Sequence, residues 1–422
     1  MKQAKHRLNH VILIITMFML FPIKVLSAED NFSVPASAAF AVDFNTGKVL
    51  YNQNADEPLG IASMTKLITA YIVYEEVEKG NIAWTDTVPI SDKLKKMSKD
   101  PDLSNVPIED DQVYTVKDAL DASIISSANS LTSALAEYIS GTEIKFVDRM
   151  YEQLKSWGIT DAYLVTASGL GNEDMGKDIY PGSGKKDENK LSARSMAIVA
   201  QHLISDYPEV LDISSQPSTT ILKDEEVEIW NSNDMLPGFD YYTEGVDGLK
   251  TGTTPLAGAC FVGTISRDNQ RIITVVMDVE EEYNRFQVTA DLMNYTLDNW
   301  TYKTILKKGD LSSQKTLPTH YGKQKDVDII LAEDLSVWTK NDNKNIKLFF
   351  ETDKKQLTKK EQVAAPKEKG YIVGKEYAFN ADDKLGYLTK EDEKHDVVDV
   401  VLKTNLEKAN IFVRFWNYIT QR

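Results

Sequence analysis

Two stretches of alternating apolar residues lie at opposite ends of the first 300 residues, and the sequence between them follows helical spacing. The first stretch runs from Ala39 to Tyr51 around a turn at residues 45–47, and the second joins residues 257–265 to residues 271–279. Alternation interrupted by short turns predicts two β-hairpins. Strands from distant parts of a chain can share one sheet, so we expect an α+β domain in which helices flank an antiparallel sheet.

Apolar residues at intervals of three and four predict the helices between and after the hairpins. The first helix is expected to begin at Ser63 and to end before Gly80, which cannot easily continue it. Further helices are expected at residues 115–125, 130–139, 146–157, 193–205 and 285–300. Together these elements predict a first domain over residues 33–302.

The sequence changes character near residue 303. Short alternating stretches such as Val327–Leu331 and Ile346–Phe350 predict a small all-β domain over residues 303–402. Residues 405–422 combine an apolar, aromatic-rich face with basic residues. This pattern predicts an amphipathic helix that lies in a membrane interface, and a terminal helix packed on its own domain is the alternative.

The first residues have the pattern of a signal peptide over residues 1–28. Basic residues precede an apolar run from Val11 to Phe21, which is short for a membrane span, and Ala28 offers a small residue for cleavage. An uncleaved N-terminal anchor is the alternative. Both interpretations predict an exported, extracytoplasmic protein.

The composition excludes several kinds of function. The formal net charge of −16 argues against nucleic acid as a partner, because a phosphate backbone requires a basic surface. The one cysteine, Cys260, lies in an apolar run with no base beside it, so we expect a buried structural thiol. No cluster of Cys and His residues has the spacing of metal ligands.

Three short motifs carry the chemistry and occur in one order. They are Ser-x-x-Lys at Ser63–Lys66, Ser-x-Asn at Ser127–Asn129, and Lys-Thr-Gly at Lys250–Gly252. Ser-x-x-Lys also occurs at Ser183 and Ser312, but neither copy opens an apolar-periodic helix. The other two motifs occur once each, so the ordered set is far more specific than any member.

The first motif can generate a nucleophile. Lys66 follows Ser63 by three residues, so both side chains share one helix face. A lysine accepts a serine proton only if burial or a second cation lowers its pKa, and Lys250 is the candidate cation. Free N–H groups at the start of the helix favour an oxyanion. We therefore expect Ser63 to be the nucleophile and Lys66 its base.

The second motif is expected to serve the substrate. Ser127 would relay a proton to the leaving amine, and Asn129 would hold a substrate amide. Simple helix capping by these two residues is the alternative when the motif is considered alone. Its position within the ordered set favours chemistry.

The third motif is expected on an edge strand that binds the end of the substrate. Lys250 would attract a terminal carboxylate by its charge, and Thr251 would donate a hydrogen bond to it. Gly252 would leave room for the substrate backbone. The N–H groups of Thr253 and Ser63 would form the oxyanion hole.

A Ser-His-Asp hydrolase is the rival serine mechanism. Beyond the first residues the chain has three histidines, His202, His320 and His395, each in a polar or helical surface context. A Gly-x-Ser-x-Gly motif does not occur. The sequence therefore disfavours this mechanism.

The motifs resemble those of low-molecular-mass penicillin-binding proteins, the serine-type D-alanyl-D-alanine carboxypeptidases. The resemblance covers about residues 36–300. Beyond the three motifs it rests on the opening hairpin, the stretch after Ser-x-Asn, a Ser-Gly-Leu turn, a helix start and the lead into Lys-Thr-Gly, at residues 43–51, 136–146, 167–170, 191–194 and 245–249.

The resemblance implies a penicillin-binding or β-lactamase-like fold, a β-rich second domain and a membrane anchor. It also implies removal of the terminal D-alanine from peptidoglycan stem pentapeptides through an acyl-enzyme on Ser63, with β-lactams as inhibitors. No metal or organic cofactor is expected. The protein would be attached peripherally to the outer face of the cytoplasmic membrane.

Three alternatives remain open. A class A-like β-lactamase would need a carboxylate base for deacylation, for which Glu173 is a candidate without a supporting pattern. A transpeptidase or endopeptidase of the same fold would use the same acyl-enzyme. A catalytically silent wall-binding protein would have no need for the complete set of motifs.

Overall fold

The computed structural model describes residues 32–222, 226–268, 270–341, 345–392 and 396–412. The fold described here is that of residues 35–422. The expected signal peptide and His395 lie outside the described residues, as do residues 413–422 of the expected terminal helix.

The first 300 residues have strands near both ends and mostly helices in the middle, and a helix follows the last strand. The helices are α1 (Lys66–Glu78), α2 (Asp92–Ser98), α3 (Val116–Ile124), α4 (Asn129–Ser140), α5 (Glu143–Ser156), α6 (Ala193–Asp206), α7 (Val210–Ser214) and α8 (Arg285–Asn299). The strands are β1 (Ala36–Asp43), β2 (Val49–Gln53), β3 (Leu59–Gly60), β4 (Lys190–Leu191), β5 (Ser218–Ile221), β6 (Val227–Trp230), β7 (Val246–Thr254), β8 (Gly258–Arg267) and β9 (Gln270–Val279).

One antiparallel sheet joins the two predicted hairpins in the order β2-β1-β9-β8-β7. Strand β1 pairs with β9 from more than 200 residues away, placing Phe40 opposite Val275, and both side chains are buried. Helices α6 and α8 pack against β9. The α+β arrangement predicted from the alternating pattern is therefore confirmed.

Helix α1 is buried on all sides rather than along one stripe. Leu67 and Ala70 follow the spacing of one helix face, but Ile68 and Ile72 are equally buried, because α3, α4, α5 and α6 all pack against this helix. Ser63 lies in the 3₁₀ turn Ala62–Thr65, which runs directly into α1. The expected start of the α-helix at Ser63 is thus three residues too early.

The β-rich part begins at Trp300. Its strands are β10 (Trp300–Leu306), β11 (Leu311–His320), β12 (Asp326–Leu331), β13 (Leu335–Lys340), β14 (Ile346–Thr352), β15 (Val363–Ala364), β16 (Ile372–Asn380) and β17 (Val397–Leu402). Six of them form a sheet in the order β14-β16-β17-β12-β11-β15, and β10 pairs with β13. Apolar residues of this part, including Ile329 and Val400, form a core of their own. The predicted all-β character is confirmed.

A loop of the β-rich part, residues 381–392, docks on the first hairpin. Leu388 is buried in the core of the first domain, and its N–H donates to the Gly47 carbonyl at 2.7 Å. The buried Lys48 ammonium forms an ion pair with Asp383 at 2.7 Å. We call residues 381–392 the docking loop.

The predicted terminal helix does not begin at Asn405. Residues 405–410 are not helical: Leu406 is buried in the core of the β-rich part and pairs with Lys367, and helical backbone begins at Ile411. The prediction failed here because Leu406 completes that core from an extended strand-like segment. Along the part of the chain that is described, no helix combines the length and hydropathy required to cross a membrane.

Candidate active site

A cleft of about 230 Å³ brings together residues from all three motifs. Five of the predicted site residues line it: Ser63, Ser127, Thr251, Gly252 and Thr253. The other three lie buried behind its wall: Lys66, Asn129 and Lys250. The remaining lining residues are Ser104, Ser126, Ser232, Arg285 and Phe286.

Lys66 lies directly beneath Ser63. Its Nζ atom is 2.9 Å from the Ser63 Oγ atom, and it donates to the Asn129 Oδ1 atom at 2.7 Å and to the Ser168 carbonyl at 2.8 Å. The side chain is fully buried. These three contacts hold the amine in one position against the serine hydroxyl.

The surroundings favour the uncharged form of Lys66. Burial lowers the pKa of Lys66 well below its usual value, the charge of Lys250 lowers it further, and the charge of Glu143 opposes them. Burial, followed by the charge of Arg285, lowers the pKa of Lys250 to about 7. A second cation beside the candidate base was expected from the sequence, and Lys250 provides it.

The capping explanation of Ser-x-Asn is wrong. The N-cap of α4 is Ala128, which makes no side-chain capping bond. Ser127 has φ +60°, a left-handed conformation that is costly for a non-glycine residue and is maintained where the surrounding structure imposes it. The Asn129 amide accepts from Lys66 and donates to the Ser104 carbonyl at 3.0 Å. In this structure Asn129 therefore contacts the candidate base, and its expected contact with a substrate amide stays a prediction.

Strand β7 lies against the turn that carries Ser63. A Cβ atom on Gly252 would come within 2.7 Å of the Ile61 carbonyl oxygen, so a side chain is excluded by packing. We expected this glycine to make room for a substrate backbone, and the structure gives a different reason. The neighbouring Thr251 hydroxyl lies 2.7 Å from the Ser232 hydroxyl, which orients it at the cleft wall.

Arg285 was missed by the sequence analysis. Its guanidinium donates to the Gly252 carbonyl and to the Thr253 hydroxyl, each at 2.7 Å, so it adds a cation to the cleft. Arg285 is the first residue of α8, where a positive charge is unfavourable to the helix dipole. This position could have identified Arg285 from the sequence, because an unfavourable charge at the start of a helix often has a partner elsewhere in the fold.

The rival catalytic groups lie elsewhere. His202 stacks on Trp157 with ring centroids 4.5 Å apart, and neither it nor His320 lines the cleft. Glu173, the candidate base of a β-lactamase, is exposed in a turn and does not line the cleft either. Among the described residues, no group of three or more His, Cys, Asp and Glu side chains is arranged to hold a metal ion.

Comparison with known families gives two matches that together cover most of the chain. The D-alanyl-D-alanine carboxypeptidase family, peptidase S11, matches residues 24–281. The C-terminal domain of penicillin-binding protein 5 matches residues 300–408. Both agree with the resemblance seen in the motifs.

Individual relatives support the same assignment. The D-alanyl-D-alanine carboxypeptidase DacF of Bacillus subtilis is 27% identical over 375 residues, covering 87% of this chain and 89% of the relative. The crystal structure of the peptidoglycan synthesis regulatory factor PBP3 of Streptococcus pneumoniae is 39% identical, with a TM-score of 0.74, covering 89% of this chain and 100% of that one. Ampicillin-bound penicillin-binding protein D2 of Listeria monocytogenes is 30% identical, with a TM-score of 0.54, covering 63% of this chain and 99% of that one.

Proposed function

Because this chain belongs to the S11 family of D-alanyl-D-alanine carboxypeptidases, we propose that its cleft removes the terminal D-alanine from peptidoglycan stem pentapeptides through an acyl-enzyme on Ser63. The protein is a serine-type D-Ala-D-Ala carboxypeptidase and a low-molecular-mass penicillin-binding protein. The substrate and the role of each residue are our proposal.

Acylation begins with proton transfer from Ser63 to Lys66. The Ser63 Oγ atom attacks the carbonyl carbon of the penultimate D-alanine while its proton moves to the Lys66 amine, 2.9 Å away. The N–H groups of Ser63 and Thr253 stabilise the oxyanion. The C–N bond then breaks as the proton on Lys66 passes through the Ser127 hydroxyl to the amine of the departing D-alanine, which leaves Lys66 uncharged again.

The carboxylate of the terminal D-alanine is bound at strand β7. Thr251 donates a hydrogen bond to it, and Lys250 attracts it from behind the wall by charge. Arg285 adds positive charge at the same strand. Water then attacks the acyl carbon and gives its proton to Lys66, which passes it to the Ser63 oxygen as the shortened peptide leaves.

The observation that supports this proposal most is the contact of the buried Lys66 amine with the Ser63 hydroxyl, beside a cleft that Thr251 and Gly252 also line. The test incubates the protein without its leader with a peptide ending in D-Ala-D-Ala, alone and with an amine acceptor. Release of D-alanine and a peptide one residue shorter are expected. A product joined to the acceptor would assign transpeptidation instead, and rapid penicillin hydrolysis without D-alanine release would assign a β-lactamase.

The nucleophile is tested by covalent penicillin labelling. Ser63→Ala is expected to abolish labelling because, within the described part of the chain, Ser63 supplies the hydroxyl that contacts the Lys66 amine. Ser183→Ala is the matched control, since Ser183 opens another Ser-x-x-Lys sequence and its hydroxyl contacts the Asn172 side chain and the Tyr180 carbonyl. Labelling that persists in Ser63→Ala would disprove the assignment.

We also propose an organisation for the whole chain: a signal peptide at residues 1–28, a catalytic domain and a β-rich domain that meet near residues 300–303, and membrane attachment through the C-terminal residues. Strand β10 begins at Trp300, which supports this boundary. Ile411 and Phe412 are large and strongly exposed, which supports contact with an apolar surface at the outer face of the cytoplasmic membrane. Fractionation of cells that express the full chain tests this attachment.

A further inference from the structure

Glu143 is a buried carboxyl group that the proposed mechanism does not use. It is the first residue of α5, directly after the N-cap Thr142, and it is only 8% exposed. A buried carboxylate is costly unless the protein supplies partners for it. Its partners therefore indicate what it does.

The hydrogen bond of Glu143 leads toward the candidate base. Its Oε1 atom accepts from the Ala167 N–H at 2.9 Å. The Ala167 carbonyl accepts from the Thr69 hydroxyl at 2.7 Å, and the next carbonyl, that of Ser168, contacts the Lys66 Nζ atom at 2.8 Å. The backbone of two consecutive residues, Ala167 and Ser168, thus connects Glu143 to the contact that orients Lys66.

The backbone of residues 165–169, which contains Ala167 and Ser168, has little freedom to move. The Asn189 Oδ1 atom accepts from the N–H groups of Val165 and Thr166 at 2.6 and 3.1 Å. At the other end, Gly169 has φ +87°, and a Cβ atom there would lie 1.9 Å from the Ala62 carbonyl oxygen. A change at Ala167 is therefore transmitted to the Ser168 carbonyl rather than absorbed by the segment.

Charge provides a second link between Glu143 and Lys66. The negative charge of Glu143 raises the pKa of Lys66, against the larger effects of burial and of Lys250. Burial raises the pKa of Glu143 itself, and the bond from Ala167 opposes this most. Lys93 of α2 favours the Glu143 carboxylate, whereas Glu137 of α4 disfavours it, and the start of α5 also favours a negative charge.

We propose that Glu143 is a positioning residue for acylation: it holds the Ser168 carbonyl against the Lys66 amine and stabilises the ammonium that forms when Lys66 takes the Ser63 proton. The inference rests on the proposed function, because it assumes that Lys66 is the base. Glu143 itself touches neither the cleft nor the substrate in this arrangement.

The test measures the rate constant of penicillin acylation across about pH 5 to 9 for Glu143→Gln and Glu143→Ala. Glutamine keeps an acceptor for the Ala167 N–H and removes the charge. The acid limb of the acylation rate profile of Glu143→Gln is expected to move to lower pH by at least about half a unit, because Lys66 then loses its proton more readily. Alanine removes the acceptor as well, and its plateau rate is expected to fall at least about tenfold.

Glu152→Gln is the matched control, because Glu152 is an exposed carboxylate of the same helix. Its profile is expected to coincide with that of the wild type. If the Glu143→Gln profile also coincides with the wild type, the proposal is overturned, and this holds whether or not Glu143→Ala folds. Acylation of the wild type at Ser63 is located first by peptide mass, and its absence would overturn the proposed function instead.

Discussion

The Nζ atom of Lys66 lies 2.9 Å from the Oγ atom of Ser63, although Ser63 belongs to a 3₁₀ turn and Lys66 begins the following α-helix. The spacing of three residues allows this contact, but the burial of Lys66 gives it chemical meaning. A lysine in water holds its proton at neutral pH and cannot act as a base. Burial and the charge of Lys250 shift Lys66 toward the free amine.

Replacement of Lys66 is expected to slow acylation without preventing folding. In Lys66→Met the side chain keeps its bulk but loses the proton acceptor, so penicillin acylation should fall roughly 10²–10⁴-fold, the usual contribution of a general base. Stopped-flow or gel-based labelling measures the rate. Lys186→Met is the control, since Lys186 is the exposed lysine of another Ser-x-x-Lys sequence. A near-normal rate in Lys66→Met would show that another group is the base.

The pH dependence of kcat/KM for D-alanine release is expected to be bell-shaped. Activity falls on the acid side because protonated Lys66 cannot accept the Ser63 proton. It falls on the alkaline side because Lys250, whose pKa is lowered to about 7, loses the charge that attracts the substrate carboxylate. The two lysines interact, so the two apparent pKa values belong to the pair.

Lys250→Arg separates these two limbs, because arginine stays charged across the whole range. Activity of this variant is expected to persist to higher pH than that of the wild type. The same kcat/KM profile measures it, and circular dichroism checks that the larger side chain is accommodated. An alkaline limb unchanged in a folded Lys250→Arg protein would exclude Lys250 as its source.

Removal of Arg285 is expected to lower the acylation rate by about ten- to hundredfold, since hydrogen bonds from a charged group contribute about 1.5–3 kcal/mol. Arg285 holds the Gly252 carbonyl and the Thr253 hydroxyl on the strand that faces Ser63. Arg285→Ala is compared with Arg267→Ala, because the Arg267 guanidinium donates to the Glu244 carbonyl and does not line the cleft. Equal rates in the two variants would show that Arg285 does not shape the cleft.

The docking loop is expected to stabilise the catalytic domain from outside it. Leu388→Ala leaves a cavity in that core and should lower the free energy of unfolding by about 2–5 kcal/mol. Calorimetry measures this loss and shows whether the β-rich part then unfolds separately. The exposed Leu311 provides the control, and Leu311→Ala should change stability by less than about 0.5 kcal/mol. Identical unfolding curves for the two variants would contradict docking by Leu388.

Two truncations separate membrane attachment from folding. Removal of residues 411–422 is expected to release the protein from membranes while penicillin labelling and stability are retained. Removal of residues 405–422 also deletes Leu406, which is buried in the β-rich core, and should lower stability as well. Sedimentation with membranes and thermal unfolding measure the two effects. A shorter truncation that still sediments would disprove attachment through this end.

Elements with strong local signals were predictable, whereas their ends often were not. The hairpins around β1 and β9 and the helices α3, α4 and α6 follow from period and turn residues, which act over a few positions. Asn405–Asn410 resembles the start of an amphipathic helix, yet Leu406 is extended because a core built from other strands accepts it. A local pattern carries no information about such a partner.

The sequence by itself determined the order of the three motifs, the α+β class and the identity of the nucleophile and base candidates, because these depend on residue types and short spacings. Only the tertiary structure decided what surrounds them. Lys66 is buried by residues that are distant from it in the sequence. The bond from Arg285 to Gly252 and the link from Glu143 to Ser168 also connect residues that are far apart in the chain. Their energies depend on distance and dielectric, which exist only once the chain is folded.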